Sequence, residues 1–537
     1  MNTLDKLIGY VSPNRALKRN MARQKINLLN SGYGNHGASA TKKSMKGWRS
    51  RGGSAKEDIE DNVPLLRERS RDLCAGTPLA TGAIKTLRTN VVGSGLRLNS
   101  QVDYEFLGMS EEEADAWETV VEREFSLWAE SMHCDLQRMN NFYELQQLAF
   151  LSQLQSGDVF VLLPMLKRVN MPYDLRVHVV EADRVCNPDG SILTLNNTIV
   201  NGVEIDPNGE VVAYHFAKHH PLSFNHSQQA WTRVEKFGRL TGRPNVLHLM
   251  ETERPEQRRG VPILAPVIEA LKQLGRYTEA ELMAAVISGM FTVFIKTDTG
   301  DISTVLGQAS SDPYFADEPE DEAEEATNYE LGNGAIVGLA ENESIETANP
   351  GRPNQAFEGF VTAVCRQIGA ALEIPYELLL KNFTASYSAS RGALLEAWKM
   401  FRMRRAWLAN DFCQPIYEEW LAEAIAKGRV PAPGFFKDPM IRKAYCGAEW
   451  NGPSQGQIDP LKEAQAAEKR IELGASTHGR EAVELTGGDY FRNVRQLVTE
   501  KKMMKAVTDI INPTTPIKGG EKNEQILDDE SKRNEDE

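Results

Sequence analysis

Four histidines in one short stretch, His215, His219, His220 and His226, are the residues whose type and spacing most suggest chemistry. Imidazole nitrogens are common metal ligands, so a metal-dependent hydrolase is one function to consider. No cysteine or carboxylate lies near them at a recognisable ligand spacing. The default interpretation is that they are exposed histidines at the end of a strand. The sequence therefore leaves a metal site open as an alternative.

Other enzyme motifs are absent or lie in an unsuitable setting. No G-x-x-x-x-G-K-[ST] phosphate loop and no H-E-x-x-H zinc motif occurs. Gly32, Gly34 and Gly37 match G-x-G-x-x-G, but no strand pattern precedes them and no helix pattern follows. Residues 452–456 match G-x-S-x-G without the apolar strand that a nucleophile elbow needs. We therefore expect a protein that is not an enzyme, with no catalytic residue, no cofactor and no bound metal.

Charge is distributed unevenly along the chain, whose formal net charge is -14. The first 56 residues contain twelve lysines and arginines and one acid, which predicts a flexible basic arm. Between Asp312 and Glu330 there are nine acids and no bases, which predicts a solvated loop or a docking surface for a basic partner. Because counterion release needs basic side chains against phosphates, such a chain is not expected to hold nucleic acid tightly over its whole surface.

The composition favours a large protein of the cytoplasm. A chain of 537 residues, 41% of them hydrophobic, has enough apolar material for more than one folded unit. Six scattered cysteines without a C-x-x-C pair favour a reducing compartment. The longest apolar stretch, residues 283–295, is shorter than the roughly 18 residues that a membrane helix needs. We therefore expect no membrane partner, and no secretory signal is recognisable.

Helical and strand patterns alternate, which predicts a helix-rich α+β fold. In residues 63–262, helical stretches at 111–132 and 142–155 alternate with β-rich runs at 159–163, 175–180 and 211–216. After Pro266, the apolar spacing predicts a helix that runs into a β-like segment at 291–295. A second short apolar run follows the acidic segment, at 335–339.

The clearest helical pattern begins after Asn354, its expected N-cap, and ends at Pro375. One apolar stripe runs along it, formed by Phe357, Phe360, Val361, Val364 and Ile368. A polar segment at 381–390 follows, and then a long helical pattern at 391–427 in which Pro415 predicts a kink.

The start of this long helix is basic. Its cations are Arg391, Lys399, Arg402, Arg404 and Arg405. Contact with DNA or with an adjacent subunit and a merely solvated face explain this pattern about equally well.

Several short stretches together resemble one protein family, although no single stretch is specific. They are residues 71–73 (Arg-Asp-Leu), 90–97 (Asn-Val-Val-Gly-Ser-Gly-Leu-Arg), 157–161 (Gly-Asp-Val-Phe-Val), 350–354 (Pro-Gly-Arg-Pro-Asn) with Phe357 and Phe360, 374–378 (Ile-Pro-Tyr-Glu-Leu), 387–398 (Tyr-Ser-Ala-Ser-Arg-Gly-Ala-Leu-Leu-Glu-Ala-Trp) and 458–464 (Ile-Asp-Pro-Leu-Lys-Glu-Ala). In this order, over roughly residues 60–500, the chain resembles the lambda-type portal protein family of tailed bacteriophages.

The resemblance implies a portal fold that assembles into a dodecameric ring with a central channel at one capsid vertex. By analogy the chain divides into a flexible basic arm (1–60), an α+β wing (61–265), a first stem helix (266–290), a clip with the acidic insert (291–350), a second stem helix (351–376), a channel loop (377–390), the long kinked helix of the wing (391–440), crown helices (441–510) and a disordered tail (511–537). The protein would reside in the virion, and in the host cytoplasm during assembly.

The same resemblance implies roles for particular residues. The channel loop would contact DNA through Lys381, Asn382, Phe383, Thr384, Ser386, Tyr387, Ser388 and Arg391. The apolar stripe of the second stem helix, Phe357, Phe360, Val361, Val364 and Ile368, would pack the ring. The clip would dock partners through Asp312, Asp317, Glu318, Glu320, Asp321 and Glu322.

The implied partners are other copies of the chain, double-stranded DNA bound without sequence specificity, the terminase large subunit, head completion proteins, and the major capsid and scaffold proteins. Energy for DNA movement would come from a separate ATPase. Two alternatives stay open at this point. One is another virion structural protein, a head-tail adaptor or a capsid subunit, and the other is the metal-dependent hydrolase.

Overall fold

The structure is a computed structural model that describes residues 10, 12–29, 42–45, 48, 52–188, 197–224, 229–289, 293–297, 343–347, 356–383, 386–457 and 459–511. The chain divides into two compact units, residues 1–62 and residues 63–537. Helices predominate and the strands form small antiparallel sheets, so the expected helix-rich α+β class is confirmed. Within the described parts of the chain, no helix is both long and apolar enough to cross a bilayer.

The first unit, predicted to be a flexible basic arm, contains regular structure. Helix α1 spans Pro13–Leu29, and a π-helical turn spans Lys56–Glu60. The Gly and Ser runs that suggested flexibility lie after α1, whereas α1 itself begins with proline at its first position and is rich in Arg, Lys, Ala and Leu. Those residues favour helix, and proline is well tolerated at a helix start because its missing N–H has no partner there.

The second unit begins with helices that pack on a small sheet. They are α2 (Val63–Gly76), α3 (Pro78–Val91), α4 (Tyr104–Leu107), α5 (Glu111–Ala129) and α6 (Phe142–Ser156). Capping boxes start α5 and α6, where Ser110 pairs with Glu113 and Asn141 with Glu144. Each box satisfies backbone N–H groups that a helix start leaves without partners.

The described strands of this unit form four antiparallel groups, of which three are the following. Strand β2 (Asp158–Leu162) lies between β3 (His178–Val180) and β8 (Val246–Met250). A second sheet has the order β4 (Thr198–Val200), β5 (Val203–Ile205), β6 (Val211–Ala217) and β7 (Trp231–Glu235). Strand β1 (Arg97–Ser100) pairs with β11 (Ala448–Asn451), far along the chain.

Two long helices and a β pair follow. Helix α7 spans Ile268–Gly289, and α8 spans Phe357–Ala371. Between them, β9 (Val293–Thr297) pairs antiparallel with β10 (Glu343–Thr347), and Ile295 lies opposite Ile345. The predicted β-like run at 291–295 thus overlaps a strand, whereas the run at 335–339 and the expected N-cap Asn354 lie outside the described residues.

The remaining helices are α9 (Tyr376–Leu380), α10 (Tyr387–Leu408), α11 (Gln414–Ala426), α12 (Pro439–Tyr445), α13 (Pro460–Glu472), α14 (His478–Thr486) and α15 (Tyr490–Ile511). A π-helical turn, Ala409–Cys413, separates α10 from α11 just before Pro415. Pro415 has no N–H to continue the helical ladder, which explains the interruption expected there.

Two predicted boundaries differ from the limits of the helices and strands. The channel loop was expected over 377–390, but α9 includes residues 377–380 and α10 already begins at Tyr387, so Ser388 and Arg391 are helical. The Ser386 side chain accepts a hydrogen bond from the Ala389 N–H and caps α10, a signal hidden in a Ser-rich segment. The crown helices were expected from 441, but α12 and β11 pack in the body of the second unit, where β11 pairs with β1.

The core of the second unit is built largely from aromatic side chains. Phe125 contacts several rings edge-on, including Phe142, Tyr417 and Trp420 at centroid distances of 5.6, 5.8 and 5.1 Å. These residues come from α5, α6 and α11, so the helix after the π-helical turn completes a core begun some 300 positions earlier in the chain. The second sheet has its own smaller core, which includes Phe160, Val203, Tyr214 and Phe216.

Candidate functional site

The two long helices contact each other through aromatic rings. Tyr277 of α7 lies 5.6 Å from Phe357 and 5.0 Å from Phe360 of α8, measured between ring centroids. Ile368, at the other end of the stripe, is buried in the main core, and Val364 packs partly against it. Phe360 stays 51% exposed in the single chain. In the predicted packing stripe, the Ile368 end is therefore buried within the chain and the Phe360 end is partly exposed.

Helix α7 also has uncovered apolar side chains. Leu282, Met283 and Val286 are 64%, 55% and 46% exposed. Together with Phe360 they give the two helices an apolar surface that this single chain leaves in contact with solvent. Exposed apolar surface of this kind is typical of an interface between protein chains.

The predicted channel loop follows α9 as a short connection. Lys381, Asn382 and Phe383 are exposed, and Leu379 just before them is buried in the main core. Lys381 has φ +55° and caps α9 in the left-handed conformation, and the Asn382 N–H donates to the Glu377 carbonyl at 3.0 Å. The loop thus begins next to a residue that is buried in the core. It exposes one cation, Lys381, and one aromatic ring, Phe383. Thr384 and the side chain of Tyr387 lie outside the described residues.

A buried arginine connects the loop region to the sheet. Arg404 of α10 forms ion pairs with Glu251, directly after β8, and more distantly with Glu373, at 4.0 Å, in the turn before α9. Burial raises the pKa of Glu251, and the Arg404 guanidinium opposes that rise. Because Glu373 immediately precedes Ile374, which is buried in the core, Arg404 holds the turn before α9, and the loop leaves the other end of that helix.

The other basic residues of α10 have partners within the chain. Half-buried Arg405 donates to the carbonyls of Asn90, Val91 and Pro453 at 2.9, 3.0 and 2.8 Å. Burial lowers the pKa of Arg405 to about 10. Arg402 pairs with Glu484 at 3.2 Å, and Arg391 lies 4.0 Å from Glu463.

Three of these contacts, with Pro453, Glu463 and Glu484, join α10 to the chain that leads into α13 and to α13 and α14 themselves. In this structure the basic residues at the start of the long helix thus hold the C-terminal helices of the same chain. Neither interpretation of this basic pattern, contact with DNA or a subunit and a solvated face, included this role.

The strongest ion cluster of the second unit lies under the start of α7. Asp158, fully buried at the start of β2, accepts from Arg67 Nη2 at 2.6 Å and from Arg259 Nε at 2.7 Å. His248 Nε2 lies 3.4 Å from the same carboxylate, and the Gly260 N–H donates to it at 3.1 Å. Burial alone would raise the pKa of Asp158, but Arg259 and Arg67 hold it well below its usual range.

Arg259 extends this cluster to the second sheet. Its guanidinium donates to the carbonyls of Ala182, Val185 and Asn201 at 2.7, 2.7 and 2.6 Å. Because Arg259 lies only a few residues before α7, the cluster fixes both sheets to the base of that helix.

Two glycines let the backbones meet at this point. Gly157 has φ +88°, and a Cβ on it would collide with the backbone of Gly260 and Val261. A Cβ on Gly260 would collide with the backbone carbonyl of Gly157. The Gly157-Asp158 pair, part of the resemblance noted above, therefore has a structural reason: the glycine permits the close approach and the aspartate pairs the buried arginines. Sequence reasoning missed Asp158, Arg67 and Arg259 because their partners lie some 90 to 100 positions apart.

The histidine cluster does not form one site. His215 is buried and lies 3.1 Å from Glu204, which also pairs with Arg233. Only His220 joins a possible ligand set within the described chain, with Glu181 and Asp183, and Arg71 already forms ion pairs with both of these carboxylates. His226 lies outside the described residues. Among the described residues, His215 and His220 therefore have different carboxylate partners and do not share one ligand set.

The predicted docking residues of the clip also lie outside the described residues. They are Asp312, Asp317, Glu318, Glu320, Asp321 and Glu322.

Comparison with known proteins identifies the family. The sequence profile of the phage portal proteins of the lambda family matches residues 41–405. Portal protein B of Escherichia phage lambda is 25% identical over 483 residues, which cover 86% of this chain and 88% of that protein. The portal protein of Escherichia phage N15 is 26% identical over 482 residues, with the same coverage of 86% and 88%.

Among solved structures, a chain in the neck of a native gene transfer agent particle is similar at 13% identity and a TM-score of 0.40, covering 79% of this chain and 93% of that one. The profile match spans more than half of the sequence and includes α7, α8 and the loop after α9. The chain therefore belongs to the lambda family of phage portal proteins.

Proposed function

We propose that twelve copies of this chain close into a ring at one vertex of a phage capsid, and that the ring is the conduit for double-stranded DNA during packaging and ejection. The observation that carries the proposal is the pair of helices α7 and α8. They contact each other through Tyr277 and Phe360, flank a small β pair, and keep apolar side chains exposed in the single chain. A closed ring needs one face of each copy to fit a different face of the next, and this apolar surface supplies such a contact.

DNA contact is assigned to the loop after α9. Lys381 is the only charged residue between 381 and 390, and its side chain is exposed. One cation per copy on a net acidic chain attracts phosphate only weakly, which suits a duplex that must slide. Asn382, Phe383, Thr384, Ser386, Tyr387, Ser388 and Arg391 complete the proposed channel-facing set, of which Arg391 also faces Glu463.

The remaining partners follow from the same assignment. The acidic insert, with Asp312, Asp317, Glu318, Glu320, Asp321 and Glu322, would dock basic surfaces of the terminase large subunit and later of head completion proteins. The outer surface would contact the major capsid and scaffold proteins. The ring itself would not be an enzyme. It would assemble in the host cytoplasm and remain in the virion.

Electron microscopy of the purified full chain tests ring formation. We expect closed rings with a central hole for the wild type and for Phe360→Leu, which keeps an apolar side chain. Phe360→Asp places an unpaired charge in the contact and should yield folded, non-assembling subunits. Circular dichroism separates loss of assembly from loss of fold. A wild-type chain that stays monomeric at every concentration, or Phe360→Asp rings equal to wild type, would contradict the assignment.

DNA contact is tested by charge reversal in the loop. Lys381→Glu should leave rings intact and lower the amount of DNA packaged several-fold, whereas Lys381→Arg keeps the charge and should package normally. Equal packaging by both variants would count against a channel role for this loop.

A further inference from the structure

Residues 163–177 fold back on themselves beside the loop that joins α5 to α6. The Leu166 N–H donates to the Asp174 carbonyl at 2.7 Å, and the Arg176 N–H donates to the Pro164 carbonyl at 2.9 Å. Val177 continues this contact by donating to the Cys134 carbonyl at 2.8 Å. The fold-back therefore carries Arg168 and Arg176 to the α5–α6 loop.

Arg168 is held by the backbone of that loop. Its Nη1 donates to the carbonyls of His133 and Asp135 at 3.0 and 2.7 Å, and its Nη2 donates to the Leu136 carbonyl at 2.6 Å. The buried Nε of Arg168 has no acceptor among the residues that the structure describes.

Arg176 is more unusual because its side chain has no solvent exposure at all. Its Nη1 donates to the neighbouring Leu175 carbonyl at 2.7 Å. Its Nε and Nη2 are buried and find no acceptor in the described part of the chain, and the same holds for the buried Nδ1 of His133. A buried guanidinium with unsatisfied donors is costly, so a structure that keeps one has a reason for it.

The nearby carboxylates are already engaged. Both oxygens of Asp135 accept backbone N–H groups, from Gln137 at 3.0 Å and from Met139 at 2.9 Å. Glu423 accepts the Leu175 N–H at 2.9 Å, and its other oxygen lies 2.7 Å from Lys427 Nζ.

The two arginines have no carboxylate partner among the described residues. Lys427 pairs with Asp174 at 3.0 Å as well as with Glu423. Arg168 and Arg176 donate only to backbone carbonyls, and no ion pair joins either guanidinium to a described carboxylate. Burial lowers the pKa of Arg176, and the nearby Arg168 lowers it further.

We propose that Arg176 and Arg168 bind one small inorganic anion, of the size of chloride, between the fold-back and the α5–α6 loop. A water molecule would accept from the free N–H donors, but it would not give the two guanidinium groups the counter-ion that they lack. The zero exposure of Arg176 restricts the ligand to an ion of one or a few atoms. The bound anion would tie residues 163–177 to the α5–α6 loop and so stabilise one edge of the wing.

Bromide is the probe for the site, because it replaces chloride and scatters anomalously. Crystals of the full chain grown in sodium bromide should give an anomalous peak at hydrogen-bond distance, about 3.5 Å or less, from the Arg176 guanidinium. Crystals of Arg176→Met should lack this peak and keep any bromide bound elsewhere. No peak at Arg176 in a well-ordered crystal, or a water there in its place, would overturn the proposal.

Thermal unfolding gives an independent test in solution. At fixed ionic strength, replacing sodium gluconate by sodium chloride should raise the wild-type unfolding temperature with saturation, since the native state takes up one anion. Arg138→Met, which removes an exposed cation of the same region, should keep this chloride effect, and Arg176→Met should lose it. Equal chloride effects in all three proteins would mean general screening and would refute the site. Should Arg176→Met fail to fold, the wild-type bromide peak decides.

Discussion

Asp158 is a carboxylate with no solvent exposure, held by two arginines from distant parts of the chain. Its pKa is lowered by Arg259 and Arg67 in spite of burial. A depressed pKa in the folded state means that the carboxylate stabilises the fold above the pKa of the unfolded chain, about 3.9, and that this stabilisation is lost as the pH falls below that value. The acid sensitivity of the second unit should therefore depend strongly on this residue.

Removing this charge is expected to be costly. Asp158→Asn removes the carboxylate that buried Arg67 and Arg259 share, so we expect the free energy of unfolding at pH 7 to fall by about 3–5 kcal/mol. Denaturant titration of the full chain measures it. The control is Asp183→Asn, the same change at a partly exposed carboxylate 3.7 Å from Arg67, for which we expect a loss of about 1 kcal/mol. Equal losses in the two variants would contradict the central role of Asp158.

Glu118 is a carboxylate that behaves in the opposite way. Burial, with help from Glu122 and Asp115, raises its pKa to about 7, although it accepts the Val102 N–H at 2.8 Å. A raised pKa means that the folded chain holds the proton more tightly than the unfolded chain. The contribution of Glu118 to stability is therefore greatest below pH 4.5 and is lost as the pH rises towards 7.

Glu118→Gln keeps the acceptor oxygen and removes the charge. Because the side chain is only half-buried, we expect the variant to be more stable than wild type by about 1 kcal/mol at pH 8, and by nothing below pH 4.5. Unfolding curves recorded across this pH range would show the difference. Glu112→Gln, on the exposed side of the same helix, should change stability little at either pH. A pH-independent effect of Glu118→Gln would rule out this explanation.

At the scale of elements, the contact between Gly157 and Gly260 joins β2 to the segment that enters α7. Gly260→Ala places a Cβ against the Gly157 carbonyl, and the backbone must move to relieve the clash. We expect a loss of about 2–4 kcal/mol in the free energy of unfolding. Gly275→Ala lies in the middle of α7 with open space around it, and we expect it to gain about 0.5–1 kcal/mol. Denaturant titration compares the two, and a stable Gly260→Ala would refute the close approach.

The elements predicted best from sequence are those with a strong period or strong caps. The α8 stripe and the interruption before Pro415 depend on local patterns, and both appear in the structure. The start of α10 was missed because its cap, Ser386, lies in a Ser-rich stretch that also suits a loop. Helix α1 was missed because the average composition of the first 56 residues concealed one short helical segment.

The candidate site could be predicted only in part, for a related reason. Lys381 and Phe360 were identified because the loop and the stripe are continuous in sequence, and their proposed roles remain predictions. The ion cluster at Asp158 and the reach of Arg404 to Glu251 were not foreseen, since each joins residues that only the folded chain brings together. Nor does a basic run reveal whether it faces DNA or, as Arg405 does, the carbonyls of its own chain.

At the scale of the whole molecule, Arg405 connects three distant segments. Its contact with Pro453 holds the chain just before α13, while Asn90 and Val91 end α3. Arg405→Met should free these carbonyls, lower stability by about 2–3 kcal/mol, and speed hydrogen exchange and proteolysis around residues 452–457. Lys399→Met, on an exposed part of the same helix, is the matched control. Unchanged exchange in this segment would show that Arg405 does not hold the C-terminal helices.

The pairing of β1 with β11 bears on how the chain is made. Residues 97–100 leave the ribosome long before 448–451, yet neither strand has another partner among the strands that the structure describes. The residues between them, including α7, α8 and the β pair, are therefore translated before β1 can pair with β11. A truncated polypeptide that stops before residue 448 would leave β1 without its partner strand. We therefore expect such a polypeptide to be degraded by proteases rather than to enter a ring as a defective subunit.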